Sequence, residues 1–404
     1  MKREPWIIER KLKKTIPADP CCDDYYRFGW EKFGPFLYGY IRWLRRSIKD
    51  SSVDQVFFLA RDGFMMKQAF QLIDGDQIRC EYMYVSRKSL RQALLWRCGT
   101  YEESLRYLTR ERFVTLGKLL EYYGFDEKER EEIGEKYKQN LFRDYRYDSL
   151  KECSEIRELY TELKTLIDFH SRQQDDLLFK YLQQLNLSGN CAVVDIGWHG
   201  SMQYYLEEFL SGHGADIRIH GFYVGILPSE DLRGEADGFL YDRDDQRFRK
   251  QVLCFFGGYE KLFQSMEGSV YGYKCEEDRV IPVLNSYEYK GQEKMVSCIA
   301  QWQKGAMDFI KKVRLSDPEW SDRDLAMPLV EFGKNPPMKG VKLFSFLYNT
   351  DGTKSYYVSR KSLVQYHPKE LIHDLSNSVW KTGFMKSVFR LPLPYYYIYS
   401  FMRK

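Results

Sequence analysis

The sequence predicts an α/β protein built on a doubly wound parallel sheet, with a large helical insertion and a helical C-terminal region. Three observations carry that expectation. Residues 191–196 form a short apolar run that ends on Asp195 and Ile196, passes through glycines into helix-like residues 201–210, and is followed by a strand-like stretch at 217–226. Residues 53–60, 64–73 and 80–85 set out the same strand, helix, strand order earlier in the chain. Between the two units, residues 101–187 read as wholly helical and highly charged, with DEKEREEIGEKYK at 126–138. Strands separated by helices pair in parallel, because a parallel partner needs a crossover of a dozen or more residues.

The elements follow in order. Residues 1–50 form an N-terminal helical segment, in which 25–49 repeat large apolar residues at helical spacing and end in basic residues, as a helix C-terminus prefers. The α/β core spans 51–285 and contains the insertion 101–187. Ser86 is placed to cap a helix running towards Trp96. Residues 228–250 are polar, glycine-containing and charge-dense, and read as an exposed loop. Residues 286–404 form the helical C-terminal region, with a short hairpin signal at 349–352. The heptapeptide Tyr-Val-Ser-Arg-Lys-Ser-Leu occurs at both 84–90 and 357–363, but the flanks do not match, so it reads as coincidence rather than duplication.

Composition narrows the function. The 404 residues, 44% of them hydrophobic, can build a full core. Sixty-two Lys and Arg against 58 Asp and Glu leave a net charge of only +4, too small an excess for a typical nucleic-acid reader. The 32 Tyr and 26 Phe suit stacking on sugars, and equally suit core packing. Nine scattered cysteines without a Cys-x-x-Cys pair indicate neither a zinc site nor a disulfide framework, and fit free thiols in a reducing cytosol. Residues 1–15 contain no apolar core of a secretory signal, and no run approaches the ~20 apolar residues of a membrane span. The expectation is a cytoplasmic protein, associated at most with the inner face of the membrane.

Two strand ends carry the chemistry. Arg61, Asp62 and Gly63 follow the first strand, and Ser86, Arg87 and Lys88 the second, so both groups stand on the sheet edge where open α/β sheets bind ligands. Arg and Lys there would meet a pyrophosphate, and Asp62 could hold Mg²⁺. The alternative is a salt-bridged pair of surface loops. At the later strand, Asp195 would bind ribose hydroxyls, while Gly197, Trp198, His199, Gly200, Ser201 and Gln203 line a turn whose amides and hydroxyl suit a phosphate monoester. The alternative there is a capped helix start. His199 has no histidine at ligand spacing, so a metal role for it is weaker. Either Asp62 or Glu260 is placed as a catalytic base towards an acceptor hydroxyl, and Glu260 also reads as a helix-start carboxylate. Asp242 and Asp244 form a DxD, which in a run this polar reads as solvated charge. The tail 375–404 has five basic residues, no acidic one and many aromatics; it suits either a membrane interface or a helix docked on the core.

On these residues the chain resembles type I phosphoribosyltransferases. Their pyrophosphate loop corresponds to 59–63, a later basic loop to 86–88, and their ribose-5-phosphate motif to 193–201. More specifically, the chain is similar to bacterial proteins of polysaccharide gene clusters, often described as predicted hydrolases of the haloacid-dehalogenase type, that carry FLSREG-like and DIGWxGTxQ-like segments. Here these read FLARDG at 58–63 and DIGWHGSMQ at 195–203, and with 28–35 and 257–273 the likeness covers residues 25–275. The ordinary phosphoribosyltransferase motif has two adjacent acids, where this chain has Asp195 followed by Ile196.

The resemblance implies a Rossmann-like sheet of phosphoribosyltransferase type and a glycosyltransferase that moves 5-phosphoribosyl from 5-phosphoribosyl diphosphate to a sugar hydroxyl, with inversion. It implies Mg²⁺ or Mn²⁺ as cofactor, a lipid-linked or oligosaccharide acceptor, and a separate phosphatase that removes the 5-phosphate. Two rival expectations stand beside it: a metal-dependent nucleotide-sugar transferase using Asp242 and Asp244, and a non-catalytic glycan-binding protein at the membrane surface.

Overall fold

The computed structural model describes all residues except 1–6, 8–9, 13, 18–21, 76, 230–231, 233, 316–319, 350–354 and 403–404. Five parallel strands form the central sheet: β1 (Gln55–Leu59), β2 (Cys80–Met83), β3 (Gly189–Trp198), β4 (Ile217–Ile226) and β5 (Glu235–Tyr241). Their order across the sheet is β2-β1-β3-β4-β5. The chain leaves β1 in one direction towards β2 and leaves β3 in the other towards β4. The boundary between β1 and β3 is therefore a topological switch point, where a crevice opens at the strands' carboxyl ends.

Alternation along the strands covers both faces. Val56 and Phe58 of β1 with Ala192 and Val194 of β3 enter one core, while Phe57 and Leu59 with Cys191 and Val193 enter the other. The first core receives α1 (Gly34–Asp50) and α2 (Gly63–Asp74). In α1, which continues the π-helical turn Gly29–Phe33, Pro35 sits in the first turn, and Phe36, Leu37, Tyr40, Ile41, Leu44 and Ile48 repeat at helical spacing on its buried side. The second core receives α3 (Arg87–Leu94), α4 (Ser154–Gln184) of the insertion, and α5 (Ser201–Gly212). Helices on both faces make the sheet doubly wound, as the sequence predicts.

Three readings of the sequence change. The insertion is not wholly helical: Phe113–Thr115 pairs antiparallel with Asp144–Arg146. The charge-dense stretch 228–250 is not all loop, because it contains edge strand β5, whose Phe239, Leu240 and Tyr241 are buried. In the tail, Trp380, Phe384, Tyr395 and Tyr399 are buried, and the Trp380 indole donates to the carbonyl of Gly333 at 3.0 Å. Docking on the core accounts for these aromatics. At the hairpin signal, Tyr348–Asn349 pairs antiparallel with Ser355–Tyr356, and the turn at 350–354 lies outside the described residues. The cysteines among the described residues are free thiols. Among the described residues no helix is long and apolar enough to cross a membrane.

Candidate active site

A cavity of about 280 Å³ opens at the switch point, lined by the chain ends of β1 and β3 and by Ser86, Arg87, Glu260 and Lys261. Both strands leave the sheet through a residue other than glycine in the left-handed region: Arg61 with φ +73° and Trp198 with φ +72°. Such backbone costs about 1–3 kcal/mol each and persists only where its surroundings hold it. Here they do. The Arg61 N–H donates to the Tyr82 hydroxyl at 2.7 Å, and its carbonyl accepts from the Ser265 N–H at 2.9 Å. The Trp198 carbonyl accepts from the Leu227 N–H at 2.6 Å, and its indole donates to Glu260 Oε1 at 3.1 Å.

Three carboxyl groups meet in this cavity. Asp62 stands at the boundary of α2, lines the cavity and does not cap the helix. Asp195 lies near the end of β3, and Glu260 on α6 (Phe256–Phe263). Each keeps partial access to the cleft while protein surrounds it. Burial first, and then Asp195, pushes the Asp62 carboxyl up against the pull of Arg61, Lys261 and Arg87. Burial also raises Asp195, opposed by the backbone N–H of Ile196 and by Arg87. For Glu260, burial and the neighbouring Asp62 raise the pKa to about 7. Three mutually repelling acids in a cleft call for a cation or a proton.

Arg87 lines the cavity at the start of α3, where its charge pulls all three carboxyls down, and its guanidinium makes no hydrogen bond or ion pair among the described residues. Gly200, at φ +65°, precedes α5 and offers no side-chain cap, so the first amides of that helix are left for an anion. His199 is exposed at the rim, and Gly197 and Ser201 line the cavity.

Four residues singled out from the sequence do other work. Lys88 lies one helical step from Arg87 and turns towards the insertion, pairing with Glu121 at 3.4 Å and sitting 3.2 Å from the centre of the Tyr271 ring. Gly63 allows α2 to approach β1, since a Cβ there would lie 2.9 Å from the carbonyl carbon of Phe58. Gln203 is fully buried behind the cleft, donating to Glu207 and to the carbonyls of Ile219 and Glu235 and accepting from the Tyr223 hydroxyl at 2.8 Å. Ser86 borders the cavity but is committed to a capping box on α3 and to the carbonyl of Val270 at 2.7 Å. The DxD lies outside the cleft: Asp242 Oδ1 accepts from the N–H groups of Asp244 and Asp245 at 2.9 and 2.8 Å, and Asp244 is exposed.

The structure also adds residues. Glu288 accepts from Arg61 Nη2 at 2.9 Å, from Gln264 Nε2 at 3.0 Å and from the buried Lys261. Burial raises the Glu288 carboxyl, but Lys261 and Arg61 outweigh it and bring the pKa down to about 2. This network fixes Arg61 on one side of the cleft. Tyr223 and Tyr357 also line the cavity.

The donor set suits a hard cation. Among the described residues no three His, Cys, Asp or Glu side chains converge closely enough to hold a metal alone. Mg²⁺ does not need them to, because it takes one or two carboxylates and completes its shell with phosphate oxygens and water. Asp62, uncapped and beside Asp195, is the fitting carboxylate. Neither a model of a known protein family nor a curated protein matches this chain.

Proposed function

We propose that this chain is a phosphoribosyltransferase-type glycosyltransferase that transfers 5-phosphoribosyl from 5-phosphoribosyl diphosphate to a sugar hydroxyl of a bacterial glycan. The observation that carries the reading is the make-up of one cleft at a sheet switch point. The uncapped amides of α5 stand at the β3 turn and Arg61 and Asp62 at the β1 turn, with Arg87, Asp195 and Glu260 lining the same cleft and burial raising the pKa of the three carboxyls. A sugar phosphorylated at one end and activated by diphosphate at the other matches that division, and the resemblance at 58–63 and 195–203 points to the same donor.

In this reading the amides after Gly200 and the Ser201 hydroxyl hold the 5-phosphate, far from the reacting carbon, so that binding energy fixes the ribose in place. Asp195 holds the ribose hydroxyls. Arg87 and Arg61 meet the diphosphate as its bond to the anomeric carbon breaks and charge gathers on the leaving oxygens. Mg²⁺, held by Asp62, would supply further charge stabilisation for the diphosphate. With Asp62 turned to the cation, Glu260 remains to take the acceptor's proton as the acceptor oxygen bonds to the anomeric carbon from the opposite face. The anomeric configuration inverts and pyrophosphate leaves.

The test is pyrophosphate release from 5-phosphoribosyl diphosphate with Mg²⁺ and a panel of oligosaccharide acceptors. The reading expects release that requires an acceptor and rises as Glu260 loses its proton near pH 7. Transfer from a nucleotide-sugar, read as release of the nucleotide, with none from 5-phosphoribosyl diphosphate, would overturn it.

A further inference from the structure

The tail divides into two sets of side chains. Trp380, Phe384, Tyr395 and Tyr399 are buried in the core. Beyond the helix Lys381–Phe389, Arg390 turns left-handed at φ +55°, and residues 390–394 (Arg-Leu-Pro-Leu-Pro) are all exposed. The final helix, Tyr395–Met402, then presents Tyr397 at 72% exposure and Ile398 at 37% on the side opposite Tyr395 and Tyr399. Leu391 and Leu393 are 53% and 43% exposed. A helix that is apolar on both sides, with only one side covered among the described residues, has a second apolar surface to meet.

We propose that this outward face docks on an anionic lipid bilayer. Its charge selects that occupant: residues 375–404 carry five basic side chains and no acidic one, and Lys386 and Arg390 border the exposed leucines. A symmetric contact with a second copy would set these cations against each other with no carboxylate in the tail to answer them. An anionic headgroup layer answers them directly, while leucine, isoleucine and tyrosine enter the interface. Pro392 and Pro394 stiffen the loop, so little freedom is lost on docking. This inference is independent of the donor assigned to the cleft, and it would bring a lipid-linked acceptor to the same surface.

The core role of Trp380 and its neighbours makes truncation of the tail a poor test, so the outward face is changed alone. The full chain is floated with vesicles of phosphatidylglycerol and phosphatidylcholine, and with phosphatidylcholine vesicles. Near-UV circular dichroism reports whether the aromatic core is intact. The proposal expects binding to the anionic vesicles about tenfold or more above the neutral ones, weakened by high salt. It expects the Leu391→Asp, Tyr397→Asp double variant to lose that binding with its near-UV spectrum unchanged, and Arg390→Gln to weaken it about fivefold. Absence of wild-type binding, or equal binding by the double variant, would overturn it. So would a wild-type dimer that the double variant disperses, which would make the face a self-interface.

Discussion

After β1 the chain turns through Arg61 and enters a helix whose boundary residue, Asp62, caps nothing; after β3 it turns through Trp198 and enters a helix preceded by uncapped Gly200. The two turns share a backbone device, a bulky left-handed residue clamped by hydrogen bonds, and differ in what they present. The first delivers side-chain charge, with Arg61 anchored to Glu288 and Asp62 directed to the cleft. The second delivers backbone donors at the start of α5. The difference teaches that a doubly wound sheet can supply both polarities of one site from adjacent strands, provided that each turn forgoes the capping that would satisfy it internally.

The strongest way to break the comparison is to neutralise the carboxyls. Asp62→Asn and Asp195→Asn should each lower pyrophosphate release by roughly 10²–10⁴, the scale of losing an acid–base or electrostatic partner. Asp242→Asn with Asp244→Asn should leave release nearly unchanged, since these residues serve a turn outside the cleft. The opposite ranking would move the chemistry from the cleft to the DxD.

Glu288→Gln tests the anchor of the first turn. It leaves Lys261, which is buried, without its anionic partner, and should cost about 3 kcal/mol in denaturant melts at pH 7. The pH dependence follows from the lowered pKa. The contribution of Glu288 is complete above the ordinary glutamate range and is lost as pH falls towards 2, so the gap between wild type and variant should close in acid.

For the second turn, Gly200→Val puts a side chain on a left-handed residue and a Cβ 2.6 Å from Leu232 Cδ2. It should cost about 1–2 kcal/mol and remove donor binding; Gly200→Asn carries the same Cβ against Leu232 and should also lose donor binding, at a smaller cost in stability because asparagine tolerates the left-handed backbone. Equal donor affinity in the valine variant would detach the turn from the ligand.

The smallest effect is the pH response of Glu260. Its pKa in the folded chain is about 7, against an ordinary 4.5, so the folded state holds a proton that the unfolded state releases. That stabilisation is complete below about pH 4.5 and is lost as pH rises through 7. Thermal melts of Glu260→Gln should therefore fall less between pH 5 and pH 8 than those of wild type.

The sequence made the switch-point turns legible because apolar runs, glycines and acids lie next to one another there. It hid what depends on distance along the chain. The partner of Lys261 is Glu288, beyond the antiparallel pair Val270–Glu276 and Arg279–Leu284, and nothing periodic announces it. Strand β5 was obscured because Glu235 and Asp237 stand on a sheet edge, where charged side chains discourage unwanted pairing. The strands at 113–115 and 144–146 are three residues each, too short for alternation to register. The repeated heptapeptide makes the point most sharply. At 84–90 Ser86 caps a helix that starts on Arg87, whereas at 357–363 the aligned Ser359 bonds the carbonyl of Lys361 and a cap forms at Ser362 instead. Identical residues took different paths because their surroundings differ.

If both turns hold one ligand, hydrogen–deuterium exchange of the full chain with and without 5-phosphoribosyl diphosphate and Mg²⁺ shows it. The donor should slow exchange at the amides after β1, residues 61–65, and at those opening α5, residues 200–203, in the same titration. Protection at neither turn, at one alone, or at residues 242–246 instead would contradict it.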